Sequence, residues 1–135
     1  MVKDTYFYAL GRRKSATARV RLQSAKGGGK GVITINHKPA DEYFSGSEYL
    51  LKELKEPFVV IEKDNFDVSV IVSGGGSAGQ VDAIKLGISK TLAAMNEDLK
   101  GTLKRAELLG RDPREKERKK FGLKKARKQR QFTKR

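Results

Sequence analysis

The chain has 135 residues, with 30 Lys or Arg against 16 Asp or Glu and a formal net charge of +14 at neutral pH. It holds no cysteine and a single histidine, His37, which excludes a disulfide framework, a thiolate nucleophile and a Cys-ligated zinc site, and leaves His-based metal or triad chemistry without a second ligand. No apolar run approaches the roughly 18 residues of a membrane span, and Met1-Val2-Lys3-Asp4-Thr5 carries no signal-peptide apolar region, so a cytoplasmic protein with no membrane partner is expected.

In chain order, short strands come first and helices follow. Thr5 to Leu10 is aromatic-rich and reads as a strand, and Ala18 to Gln23 alternates in strict period two, with Ala18, Val20 and Leu22 toward a core and Arg19 and Arg21 outward together. Ser24 to Gly31 is glycine-rich and reads as a flexible turn with Lys26 and Lys30 at its tip. Val32 to Asn36 is then expected as the partner strand of a hairpin.

Ser47 to Glu56 predicts a short helix that Pro57 terminates, with Pro57 to Ile61 extended after it. Phe66 to Ser73 predicts a strand with Phe66, Val68, Val70 and Val72 inward, while Ile71 falls on the outward face with Asp67 and Ser69. Ser77-Ala78-Gly79-Gln80 reads as a capping box. Behind it Ala78, Val81, Ile84, Ile88, Leu92 and Met95 recur at helical spacing. A further helix from about Glu97 to Leu109 presents Leu99, Leu103 and Ala106, with Gly110 as its expected C-terminal cap. Asp112-Pro113 marks another helix start, which ends near Gly122.

The last segment differs in kind. Residues 111–135 hold thirteen Lys or Arg against three acids, a net +10, and very few apolar residues. Such a stretch cannot offset its ordering entropy by burial and needs a polyanion to order it. Nucleic acid is the leading candidate, because clustered cations displace condensed counterions from a phosphate backbone. The expected organisation is therefore a globular α+β RNA-binding domain over 1–110 and a basic C-terminal helix and extended tail over 111–135.

Two clusters in the globular part carry further chemistry. Gly11-Arg12-Arg13-Lys14-Ser15 is expected as a loop between strands, and with Arg19 and Arg21 it offers five cations to one positive surface. Gly74-Gly75-Gly76-Ser77-Ala78-Gly79 matches a dinucleotide-binding glycine pattern, but no parallel strand is predicted after its helix, and the Gly-Lys-Ser/Thr ending of a phosphate-gripping P-loop is absent. Two readings stay open: a tight turn whose glycines supply positive φ, or exposed amides that hold an RNA phosphate at a helix start. His37 reads as an exposed turn residue, and Tyr43, Phe44 and Phe58 as packing residues. No catalytic residue, metal ligand or cofactor site is identified.

These residues also carry a resemblance. Gly11 to Val20, Ile35-Asn36 with Tyr43-Phe44, Gly74-Gly75-Gly76 with Gly79-Gln80, Arg111-Asp112-Pro113-Arg114 with Glu117 to Lys120, and Lys125-Ala126-Arg127 with Gln131 to Arg135 resemble the bacterial-type S-nine family of small ribosomal subunit proteins over essentially the whole chain. Thr133 stands where many members carry Ser, and Lys26 to Lys30 is richer in glycine than expected, a difference confined to a hairpin tip.

The resemblance implies an α+β fold of the ribosomal S-five domain-two-like kind: a small mixed sheet, helices packed on one face, and a left-handed βαβ crossover, the uncommon hand. It implies a structural protein in the head of the small subunit, bound to ribosomal RNA, with neighbouring head proteins, the tenth and fourteenth, as contacts. Lys134 and Arg135 would touch the anticodon stem-loop of peptidyl-site tRNA, and Lys124, Lys125, Arg127, Lys128 and Arg130 would line the RNA channel. The remaining expected ribosomal RNA contacts are Arg12, Arg13, Lys14, Arg19, Arg21, Gly74, Gly75, Gly76, Arg111, Arg114, Arg118, Lys119 and Lys120. Competing classes are a small-molecule kinase built around the glycine-rich turn and a free-standing histone-like or RNA-chaperone protein.

Overall fold

A computed structural model describes residues 6–24, 31–110 and 121. Expectations for Lys26 and Lys30, for the Asp112-Pro113 helix and for every cation from Arg111 onward lie outside the described residues. Five strands, β1 (Phe7–Arg13), β2 (Ala16–Ser24), β3 (Ile33–Ile35), β4 (Lys38–Pro39) and β5 (Phe66–Ser73), form one mixed sheet in the order β1-β2-β5-β3-β4. Four helices accompany it: α1 (Ala40–Tyr43), α2 (Glu48–Ile61), α3 (Ser77–Met95) and α4 (Glu97–Arg105).

The alternation read from sequence holds in β2 and β5. Ala18, Val20 and Leu22 are buried opposite Val72, Val70 and Val68, while Arg19, Arg21, Ser69 and Ile71 are exposed. Helix α3 lies across the buried side of β1 and β2, and α2 and α4 pack on α3. Each fully buried Leu or Ile in this layer, among them Leu22, Leu54, Ile84, Ile88 and Leu103, contributes about 1.5–3 kcal/mol.

The expected hairpin between β2 and the strand after it does not form. One edge of β2 is taken by β1, which continues to Arg13, and the other by β5 over eight registered pairs. β3 therefore pairs in parallel with β5, through Ile33↔Val68 and Ile35↔Val70, and antiparallel with β4 across the two-residue turn Asn36-His37. Both turn residues have positive φ, 49° and 67°, as a type I′ hairpin turn requires. His37 is exposed there, as the sequence indicated. The Asn36 side chain also extends the ladder: its amide donates to the Val72 carbonyl at 3.1 Å and its oxygen accepts from the Val72 N–H at 2.9 Å.

Pro57 does not end α2, which runs four residues further to Ile61. An internal proline costs about 3 kcal/mol. Continuing the helix places Leu54, Phe58 and Ile61 on one buried face, with Phe58 stacked 6.2 Å from Phe66, and that burial outweighs the broken backbone bond. The chain turns at Glu62, in the left-handed region, where the Lys63 N–H reaches back to the Phe58 carbonyl at 3.2 Å.

Two cap expectations also change. Ser77 is the first residue of α3 and not its cap; Gly76 caps the helix in extended geometry without a side-chain hydrogen bond. Gln80 instead bridges two elements, donating to the Gly74 carbonyl at 3.0 Å and accepting from the Tyr43 hydroxyl at 2.8 Å. At the other end α4 stops at Arg105, and Glu107, not Gly110, takes the left-handed position, so that buried Leu108 can bond back to Leu103. The α4 start is capped by Asn96, whose side chain accepts from the Asp98 N–H at 3.0 Å. Ala78 is exposed, whereas α3 is otherwise buried on more than its predicted stripe, because the sheet covers one side and α2 and α4 the other.

Candidate nucleic-acid interface

Two surfaces hold Arg12, Arg19, Arg21 and Lys14, the cations of β1, β2 and their turn other than Arg13. The first is the side of the sheet that faces away from α3. Cross-strand neighbours there lie about 5 Å apart at Cβ, and the register sets Leu10 beside Arg19 beside Ile71, Tyr8 beside Arg21 beside Ser69, and Arg12 beside Thr17 beside Ser73. Arg12, Arg19 and Arg21 are exposed. No acid among the described residues pairs with them; the Arg21 guanidinium lies 5.2 Å from the Tyr6 ring centre. Asp67, the acid of this face, accepts from the Val32 N–H at 3.0 Å.

The second surface lies at one end of the sheet. Lys14 and Ser15 form the turn between β1 and β2, Lys14 with φ of 54°, and they abut the glycine turn after β5. Gly74 and Gly75 have φ of 75° and 67°, so both supply the left-handed backbone that side chains resist. A β-carbon on Gly75 would lie 3.0 Å from that of Ala16. The turn is therefore built tight for packing, and it leaves Gly74, Gly75, Gly76 and the start of α3 exposed beside Lys14.

Arg13 does not join either group. Gly11, Arg12 and Arg13 belong to β1 and not to a loop, and strand alternation turns Arg13 toward α3, where its Nε lies 3.4 Å from Asp82. Arg12, Arg19 and Arg21 are brought together on the open face, Lys14 and the glycines at its end, and Arg13 on the helix side. Tyr43, Phe44 and Phe58 are packing residues, Phe44 and Phe58 buried and Tyr43 half-buried edge-on to Phe44 at 4.9 Å.

Sequence reasoning missed the aromatic members of the open face. Thr5 to Leu10 reads as an aromatic-rich strand with no side assigned to its rings, and Tyr6 and Tyr8 are each 49% exposed. The signal was present in the small residues Ala9 and Gly11, which mark the side of β1 that a helix approaches closely.

Lys85 of α3 carries the clearest electrostatic perturbation. Its ammonium lies 3.0 Å from Glu53 and 3.1 Å from Glu56 of α2. Burial pulls its pKa down, but hydrogen bonds and attraction from the two carboxylates outweigh burial and leave it above the usual lysine value. This cluster ties α2 to α3, away from the cationic face. Among the described residues no group of His, Cys, Asp or Glu is placed to hold a metal ion, and no helix is long and apolar enough to cross a membrane.

What these residues build is a small basic α+β module that presents cations from a sheet face and an adjoining turn. The comparisons place it. The family model described as Ribosomal protein S9/S16 matches residues 11–135. "Small ribosomal subunit protein uS9" of Mycoplasma genitalium is 51% identical over 130 residues, 96% of this chain and 96% of that protein. The protein of the same name from Mycoplasma mobile is 48% identical over 135 residues, 99% of this chain and all of its relative. The chain belongs to the ribosomal protein S9/S16 family. It is a non-enzymatic protein of the small subunit of the cytoplasmic ribosome, with a structural role in translation and an association with ribosomal RNA.

Proposed function

We propose that this chain fixes ribosomal RNA in the head of the small subunit through phosphate contacts from its sheet face and turn, and contacts the anticodon stem-loop of peptidyl-site tRNA through its C-terminal residues. The observation that carries the RNA part is the open face, where Arg12, Arg19 and Arg21 stand exposed without acidic partners among the described residues. Unpaired guanidinium groups on an ordered sheet fit a phosphate backbone, which they position without reading sequence. Lys14 and the exposed amides of Gly74, Gly75 and Gly76 extend the surface to the positive end of α3. Arg13 acts through its pair with Asp82, holding the hairpin to α3 beside these contacts.

The division into a globular 1–110 and a basic 111–135 belongs to the same reading. So do the left-handed crossover from β3 to β5 and the S-five domain-two-like fold. In the tail, Arg111, Arg114, Arg118, Lys119 and Lys120 hold ribosomal RNA near the globular part, and Lys124, Lys125, Arg127, Lys128 and Arg130 line the channel that brings Lys134 and Arg135 to the tRNA. This assignment rests on the net +10 of residues 111–135 and on the family match over residues 11–135. The tenth and fourteenth small-subunit proteins are the neighbours in this arrangement.

The test of the RNA surface is assembly. Replacing Arg12, Arg19 and Arg21 together by Gln should leave the folded chain intact and reduce its incorporation into small subunits at raised salt. Normal incorporation of the triple variant under those conditions would show the face to be solvated only.

A further inference from the structure

The open face carries more than charge. Tyr6, Tyr8, Leu10 and Ile71 are between 36% and 49% exposed on it, interleaved with the three arginines. Tyr8 is the direct cross-strand partner of Arg21, and Arg19 lies between Leu10 and Ile71. A phosphate-only surface has no use for aromatic rings held on a strand, and rings left in water forgo the burial that would stabilise them.

We propose that this face binds unpaired RNA nucleotides, with Tyr8 and Tyr6 stacking on bases while Arg12, Arg19 and Arg21 hold the intervening phosphates. The inference rests on the ribosomal RNA reading above and specifies which form of RNA the face takes. Same-side residues recur every ~6.8 Å along a strand and neighbouring strands lie ~4.8 Å apart, so rings and guanidinium groups alternate on a grid of nucleotide dimensions. In a duplex the bases are stacked on one another and offer no open π-face; in single strands and loops they do. A protein partner is disfavoured by charge. Three arginines buried against a protein leave uncompensated charges unless that partner brings an acid to each, whereas an RNA backbone supplies one negative charge per nucleotide. The Arg21 guanidinium lies 5.2 Å from the Tyr6 ring centre, within cation–π reach, beside which a further planar base can lie.

The experiment compares the full chain's affinity for a short single-stranded RNA and for a strand of the same length and charge lacking bases. The basic tail contributes phosphate contacts equally to both, so the ratio isolates stacking. The wild-type chain should favour the base-bearing strand by about 5- to 150-fold for each stacked base. Tyr8→Leu should lose most of that preference and Tyr6→Leu part of it, with thermal unfolding and the salt dependence of binding unchanged. A preference that survives in the Tyr6→Leu, Tyr8→Leu double variant overturns the proposal by placing the stacking elsewhere in the chain. Equal wild-type affinity for the two strands also overturns it and leaves the face to a protein contact, while the phosphate reading stands. Failure to bind either strand at low salt removes the RNA reading itself.

Discussion

Gly87 of α3 lies against Gly11 of β1: a β-carbon on Gly11 would stand 2.7 Å from the Gly87 nitrogen and would collide with the Ala83 carbonyl oxygen. On the other residue, a β-carbon at Gly87 would press on the Val20 side chain and come within 3.4 Å of the Gly11 nitrogen. Helix and sheet thus meet almost backbone to backbone at this point. That contact admits only small residues, Ala9 and Gly11, at this point on the helix side of β1, while Tyr8 and Leu10 stand on the opposite side of the sheet.

Gly11→Ala should therefore destabilise the protein by about 3 kcal/mol or more, at or beyond the upper end of ordinary overpacking, because the obstacles are backbone atoms that cannot rotate away. Gly87→Ala should cost less, about 1–3 kcal/mol, since Val20 can yield in part. Urea unfolding reads both. A loss below 1 kcal/mol for Gly11→Ala would mean that α3 rides higher over β1 than described.

Asn36 should prove a structural residue of the sheet. Its side chain supplies both partners of the Val72 backbone while its own backbone sits at φ of 49°. Asn36→Gly keeps the conformation and loses two hydrogen bonds, about 1 kcal/mol each. Asn36→Ala adds the left-handed penalty of roughly 1–2 kcal/mol. The order of stability should be Asn, Gly, Ala, and amide exchange at Val72 should accelerate in both variants. Unchanged exchange at Val72 would show that the pairing does not persist in solution.

These elements also show what the sequence made legible. Period-two alternation in β2 and β5 was readable because one side of each is buried, and the sidedness of Arg19 and Arg21 followed from it. Strand partnership was not readable, since alternation in Ile33 and Ile35 names a face and no neighbour. Pro57 misled because local propensity weighed against continuation while Phe58 and Ile61 gained burial only by continuing, a balance that depends on tertiary packing. The side taken by Tyr6 and Tyr8 was not legible, because periodicity cannot tell which side of an apolar strand a helix will approach. Of the nucleic-acid surface, charge and order along the chain were legible, and the separation of Arg13 from Arg12 required the register.

Lys85 gives a pH prediction. Its pKa is raised in the folded chain from 10.5, so folding holds the proton more tightly than the unfolded chain does. The resulting stabilisation is fully present below about pH 10.5 and is lost as pH rises through the higher folded value. Lys85→Met should be less stable than wild type at neutral pH by on the order of 1 kcal/mol, with Glu53 and Glu56 left without their cation. The gap should narrow only above about pH 10.5. Parallel stability curves for the two proteins across that range would show that the α2–α3 cluster contributes packing and not charge.

The proposed tRNA contact yields the most specific test of the tail. Lys134 and Arg135 form a charged pair following Phe132 and Thr133 in a segment whose other cations are numerous. Removing both should leave folding and assembly intact, since neither side chain is an apolar one that a core would need and the upstream tail retains most of its charge. Affinity of the small subunit for peptidyl-site tRNA should fall instead. Each lost phosphate contact should flatten the slope of log affinity against log salt by about 0.7–0.9, so the pair by up to roughly 1.8. Arg135→Lys should be milder, keeping the point charge and losing the bidentate fork. Filter binding of tRNA to reconstituted subunits across a salt series reads both effects. If affinity and slope are unaltered by the double deletion, the tail anchors ribosomal RNA alone and the tRNA contact is wrong.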